Sequence, residues 1–182
     1  MIENPKVPSS KKNWFALYTK PKHEFKAAEQ LNDIEIEYYL PTIIKIKQWS
    51  DRKKKVTEPL IHGYIFIKAN EKERILALQQ NSMVRCVTFN GKPASIPDWQ
   101  IENLKIMLST NEDLSLTEII QSGTKVKIIS GPFEGVIGVV NETSSGKTLS
   151  ISIDLLKRSV TATLPVESVI RLTEEEVSEG EA

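Results

Sequence analysis

Few residues in this chain are suited to covalent or metal chemistry. One cysteine, Cys86, and two histidines, His23 and His62, are the whole supply of thiol and imidazole. A lone cysteine cannot close an internal disulfide, and one Cys with two separated His forms no zinc-ligand spacing. Cys86 lies in the apolar alternation MVRCVTF and reads as a core or sheet residue. His23 reads as a surface helix residue and His62 as a sheet residue beside Gly63. The segment SSGKT at 144–148 ends like a nucleotide-binding phosphate loop. That chemistry needs a glycine five residues before Gly146, where Asn141 stands, and a helix directly after Thr148. The continuation LSISIDLL alternates as a strand, so Ser145 and Gly146 read as a hairpin turn. No acid, base and nucleophile constellation remains. The chain reads as a binding protein, without catalysis, cofactor or metal.

Binding chemistry is better represented. Residues 1–111 carry 18 Lys/Arg against 12 Asp/Glu, about +6, while residues 112–182 carry 6 against 12, about −6, so the zero net charge hides two unlike halves. A basic half beside an acidic one predicts different partners for the two ends. The cations gather in two places. Lys20, Lys22 and Lys26, with Gln30, follow the end of a first strand and run along a helix; Lys45, Lys47, Arg52, Lys53, Lys54 and Lys55 surround a hairpin. Lysines so placed attract phosphate without reading sequence.

The elements that must position these residues follow from periodicity. WFALYT (14–19) reads as a strand ended by Pro21, and 22–34 as a helix with Phe25, Ala28 and Leu31 on one stripe, widened by Ala27 and Ile34. YYLPTIIKIKQW reads as a half-exposed strand, SDRKKK (50–55) as a basic hairpin loop, and LIHGYIFIK (60–68) as the return strand. A helix over 71–80, a strand over 83–89 and a helix from Pro97 to about Ser109 complete the first domain. This order predicts a split βαβ sandwich of α+β class. Residues 110–120 read as a polar linker. Beyond it KVKIIS, GVIGVV, LSISIDLL, SVTATL and ESVIRL are five short β-branched runs, which predict a small SH3-like barrel over 121–173. The leader 1–11 and the acidic tail 174–182 read as frayed ends. No uncharged apolar run of about 18 residues occurs and the start is polar, so a cytoplasmic protein is expected.

In KVKIISGPFEGVIGVV (125–140), Gly131 and Pro132 predict a tight turn, Gly135 a close approach or positive φ, and Gly138 a bend in the next strand. The same residues, with Phe133, resemble the KOW motif of NusG-type factors and some ribosomal proteins. In the first domain, WFALYTKPKHEFKAAEQL resembles the opening of the NusG N-terminal domain. LPTI (40–43), PLIHGYIFIK (59–68) and KPASIPDWQIENL (92–104) resemble its later landmarks in order and spacing. With SVTATLPVESVIRL (159–172) the resemblance spans roughly residues 12–172.

The resemblance implies a ferredoxin-like or RNP-like N-terminal domain (12–109) followed by a KOW barrel, in a monomer. It implies a transcription elongation or antitermination factor that bridges the cleft of RNA polymerase. A hydrophobic depression would grip the clamp coiled coil of the largest subunit through Tyr18, Ile61, Tyr64 and Phe66, with Trp14 and Phe15 nearer the core. The alternation of strand faces makes Tyr64 and Phe66 the expected contact pair. Lys20, Lys22, Lys26 and Gln30, with the basic hairpin, would lie near upstream or non-template DNA. The KOW domain would meet a ribosomal protein or termination factor Rho. Val136 stands where NusG and its paralogue RfaH carry an aromatic residue, which weakens coupling to translation. The polar triplet of RfaH has no clear counterpart in EKERILAL, where Lys72 or Arg74 are the nearest substitutes. The polar leader, the uninterrupted first domain and the basic hairpin resemble a specialised paralogue such as RfaH or the capsule-operon (UpxY-type) antiterminators. The alternative is a ribosome-associated RNA-binding KOW protein, which the acidic second half disfavours.

Overall fold

The computed structural model describes residues 11–48, 52–110, 114–118, 124–143, 146–164 and 169–171, and the chain divides into two compact units, Met1–Asp98 and Trp99–Ala182. The first unit is built on β1 (Asn13–Thr19), β2 (Glu37–Tyr39), β5 (Tyr64–Ala69) and β6 (Met83–Cys86), in the order β2-β5-β1-β6, with the short β9 (Ser95–Ile96) also paired to β1. All these pairings are antiparallel. Helices α1 (Glu24–Asp33) and α2 (Glu71–Leu78) contribute Ala27, Ala28, Leu31 and Ala77 to one core cluster with Leu17, Ile65 and Ile67. Each of the larger side chains, fully withdrawn from water, stabilises the fold by about 2 kcal/mol.

The buried stripe of α1 is Glu24, Ala27, Ala28 and Leu31, whereas Phe25, expected on it, is 44% exposed. Three-residue spacing runs ahead of the 3.6-residue turn, so Phe25 rotates away from the sheet. The acidic member of the stripe is satisfied: the Gly63 N–H donates to Glu24 Oε1 at 2.8 Å. Helix α2 starts on a capping box, in which Asn70 Oδ1 accepts from the Glu73 N–H and Glu73 Oε2 accepts from the Asn70 N–H. Lys12 pairs with Glu73 at 2.8 Å. That ion pair, and then the Asn70 N–H, hold the Glu73 carboxyl below the ordinary range.

The basic segment expected as a loop is a strand. β3 (Thr42–Gln48) and β4 (Lys53–Pro59) form a separate two-stranded ribbon in register from Thr42 opposite Pro59 to Gln48 opposite Lys53. Lys53–Lys55 therefore belong to β4, and the return strand into the sheet begins only at Tyr64. Charge does not forbid a strand whose faces both meet water. Farther on, β7 (Thr88–Phe89) and β8 (Lys92–Pro93) pair across Asn90 and Gly91, both at positive φ, as a primed turn requires.

The second unit has a six-stranded antiparallel sheet, in which the strands starting at Leu114, Arg158, Gly146, Ile137, Thr124 and Val169 lie side by side in that order. Its strands are β10 (Leu114–Glu118), β11 (Thr124–Ile128), β12 (Ile137–Thr143), β13 (Gly146–Ile153), β14 (Arg158–Thr163) and β15 (Val169–Arg171). Five of these match the five expected runs. β10 was expected as linker; five residues of LSLTE alternate too briefly to be read as a strand, and pairing with β14 organises them. Helix α3 (Asp98–Ser109) opens with Asp98 paired to Lys68 at 3.7 Å, and its residues from Trp99 onward belong to the second unit. Asn103 Nδ2 donates to the Ile137 carbonyl at 2.8 Å while the Ile137 N–H donates back to Asn103 Oδ1 at 3.3 Å. Gln100 does the same at Asp154, through the carboxylate and the backbone N–H. Two buried amides one turn apart thus latch α3 to β12 and to the turn at Asp154.

Candidate functional site

The face of the first sheet turned away from α1 and α2 carries Trp14, Ala16 and Tyr18 of β1, with Tyr64, Phe66 and Lys68 of β5, by alternation from the core residues Leu17, Ile65 and Ile67. Tyr18 and Tyr64 lie directly opposite in the ladder. Their ring centroids are 4.5 Å apart, and the Tyr64 hydroxyl donates to the Tyr18 hydroxyl at 2.8 Å. Both rings are half-buried. The guanidinium of Arg85, opposite Tyr18 on β6, stands 4.7 Å from the Tyr18 ring centroid. Cation, ring and ring form a continuous row with one apolar side and polar tips.

Not every residue expected on the contact face is accessible. Phe66 is 0% exposed and Ile61 is 3% exposed. β5 is an interior strand, and Tyr39 of the neighbouring β2 stacks on Phe66 with centroids 6.4 Å apart. Of the residues expected on the contact face, Tyr18 and Tyr64 are partly accessible, whereas Phe66 and Ile61 are interior. Trp14 is buried, with the Lys68 ammonium 5.7 Å from its ring. Arg85 was missed in the sequence, because its place beside Tyr18 depends on the β1–β6 register and on the irregularity between Tyr18 and Thr19.

The basic candidates divide. Lys22 and Lys26 are exposed, and Lys22 sits at φ 61 in the turn that His23 closes by donating its N–H to the Lys20 carbonyl at 3.0 Å. Lys20 Nζ donates to Asn81 Oδ1 at 2.9 Å. Gln30 is structural: its Oε1 accepts the N–H of buried Ser82 at 3.0 Å. On the ribbon, Lys47 and Lys45 both pair with Glu58, the latter at 3.8 Å. The Lys47 contact first, then the fields of both lysines, lower the Glu58 carboxyl's pKa. Arg52, Lys53, Lys54 and Lys55 are exposed.

In the second unit, Gly131 and Gly135 have φ of 94 and 88, in the left-handed region that glycine adopts without strain. A Cβ on Gly138 would lie 2.6 Å from the Ser150 carbonyl oxygen, so close strand approach requires glycine there. Pro132 is exposed, while Phe133 and Val136 are fully buried. Val136 is thus a core side chain. Ser144 and Ser145 lie outside the described residues, but Thr143 pairs with Gly146 and the chain continues directly as β13, so no helix follows SSGKT. Cys86 is buried, which pushes its thiol up despite Arg74. No group of three or more His, Cys, Asp or Glu able to hold a metal occurs among the described residues.

The aromatic row lies inside a segment with a known counterpart. Residues 12–105, just over half of the chain, match the NusG family model, described as transcription termination factor NusG. This chain belongs to the NusG family. It is accordingly a NusG-family transcription factor, with mixed helix and sheet content. Its structure is similar to one of Thermotoga maritima NusG, a study of domain interaction, with 21% identity, 90% of this chain and 98% of that one covered, and a TM-score of 0.49. A chain of the MjSpt4:Spt5 complex matches at 19% identity, with 88% and 98% covered and a TM-score of 0.27. No helix among the described residues is long and apolar enough to cross a membrane.

Proposed function

We propose that this NusG-family factor binds RNA polymerase through the outer face of its first sheet, promotes elongation, and suppresses pausing and termination. The observation that carries the proposal is the Tyr18–Tyr64 pair, half-exposed and hydroxyl-bonded, within the family-matched segment. Rigid aromatic rings with polar tips bury large area at low entropic cost and keep their hydroxyls satisfied at an interface rim. Arg85 adds a cation beside them, while Phe66 and Ile61 stiffen the face from within. The clamp coiled coil of the largest subunit is the partner for this face.

Lys20, Lys22 and Lys26, with Lys45, Lys47 and Arg52–Lys55, attract the phosphates of upstream or non-template DNA. Contacts on both sides of the cleft favour the closed clamp by population shift. The basic ribbon supports a specialised, operon-specific role akin to RfaH or the capsule-operon antiterminators. The sheet of the second unit is read as a KOW, SH3-like barrel that meets a ribosomal protein or Rho. The buried Val136 argues against an aromatic docking point there.

Single-round transcription over a template with one pause and one terminator tests the proposal. Added protein shortens the pause and raises read-through, and Tyr18→Ala/Tyr64→Ala abolishes both effects. Unchanged pausing and read-through with the wild type would overturn it.

A further inference from the structure

The two faces of the β3–β4 ribbon differ in what they offer a partner. Opposite residues share a face, so Ile44 and Ile46 lie with Thr57, Lys55 and Lys53 on one side, while Lys45 and Lys47 lie with Glu58 on the other. On that second side Glu58 pairs with both lysines. The first side has no acid at its paired positions. Its Ile44 and Ile46 are 70% and 65% exposed, and Thr57, Lys55 and Lys53 are exposed beside them. Attraction to phosphate uses the lysines and leaves the isoleucines idle.

An occupant that matches this face carries negative charge at its margins and apolar groups between them. The major groove of a DNA duplex is built in that way: phosphates form its rims, and each thymine presents a C5-methyl group inside it. The hairpin segment 42–59 has six Lys/Arg against two Asp/Glu, a net charge of +4, which suits those rims. The dimensions agree as well. A groove about 12 Å wide admits a two-stranded ribbon, and no third strand pairs with either edge of this one among the described residues. Ile44 and Ile46, two residues apart on one strand, are separated by about 7 Å, close to two base-pair steps of about 3.4 Å. We propose that the ribbon enters the major groove of duplex DNA with its isoleucine face inward, Ile44 and Ile46 packing on thymine methyls while Lys53 and Lys55 meet the flanking phosphates. The proposal rests on the DNA reading above and adds base contact to it. Lysine–phosphate contacts carry no sequence preference, whereas methyl contacts favour thymine-bearing steps.

Binding of the full chain to a short duplex of alternating A·T pairs, and to the same duplex with uracil in place of thymine, isolates the methyl groups without altering the protein. Wild type should bind the thymine duplex about five- to tenfold more tightly, as burial of two methyl groups provides. Ile44→Ser/Ile46→Ser should bind both duplexes alike, at the affinity of wild type for the uracil duplex. Lys53→Ala/Lys55→Ala should weaken both equally, keep the thymine preference and reduce the slope of log affinity against log salt by about 2. Equal affinity of wild type for the two duplexes overturns groove insertion and leaves the phosphate reading standing. A thymine preference that survives in the isoleucine variant places the methyl contact elsewhere and also overturns it. So does indifference to the methyls combined with weaker polymerase binding by the isoleucine variant, which would assign the face to a protein surface. No binding to either duplex removes the DNA reading and the groove contact together.

Discussion

Strand β5 and the β3–β4 ribbon look alike as sequence and behave oppositely as structure. YIFIKA and TIIKIKQ are both rich in isoleucine with lysine among them, yet Ile65, Phe66 and Ile67 are fully buried while Ile44 and Ile46 lie open. The difference is the number of neighbours. β5 has a strand on each side, α1 and α2 over one face, and Tyr39 against Phe66 on the other. β3 has only β4. Alternation assigns residues to two faces; layers and neighbouring strands decide whether either face meets water. In the NusG-family sheet the facing Tyr18 and Tyr64, at the ends of β1 and β5, stay partly accessible where Phe66 does not.

The sharpest way to break that contrast is Phe66→Ala, which should cost about 3–5 kcal/mol in urea unfolding, whereas Ile46→Ala should stay within about 0.5 kcal/mol. Similar costs for the two would mean that β5 is not covered. Asn103→Ala extends the comparison to a polar latch. It leaves the Ile137 N–H and carbonyl without their partner and should cost about 2 kcal/mol, with hydrogen exchange at Ile137 accelerated. Tyr64→Phe removes the hydroxyl that donates to Tyr18, and a loss of about 1 kcal/mol by the same unfolding assay is expected.

The smallest effect belongs to the helix cap. Glu73 has its pKa depressed in the folded state by Lys12 and the Asn70 N–H. A depressed carboxylate contributes stability above its unfolded pKa of about 4.3 and loses it as pH falls through the folded value. Glu73→Gln should therefore be less stable than wild type by about 0.5–1 kcal/mol near pH 6, the size of a cap contribution, and the gap should narrow below about pH 4. A gap independent of pH would assign the loss to packing.

The element order was legible because periods of two and near four recur between turn residues, and the three helices and most strands stand where those periods place them. The details that escaped depend on partners distant in the chain. Glu24 on a buried stripe is intelligible only with the Gly63 N–H that meets it. The polarity of Lys53–Lys55 reads as loop, but their pairing across the ribbon is invisible without β3. Phe66 alternates correctly with Ile65 and Ile67, but its cover by Tyr39 requires the β2–β5 register. Gln30 looked like a surface amide beside lysines, and its bond to Ser82 spans 52 residues.

The most direct test of the account is the affinity of purified RNA polymerase for the protein with and without its tyrosine row. Tyr18→Ala/Tyr64→Ala, with its fold verified by circular dichroism, should bind at least about tenfold more weakly than wild type, as loss of an aromatic anchor at an interface centre does. Lys22→Ala/Lys26→Ala should bind the polymerase alone as wild type does. Undiminished affinity of the double tyrosine variant would contradict the assignment of that face to the polymerase.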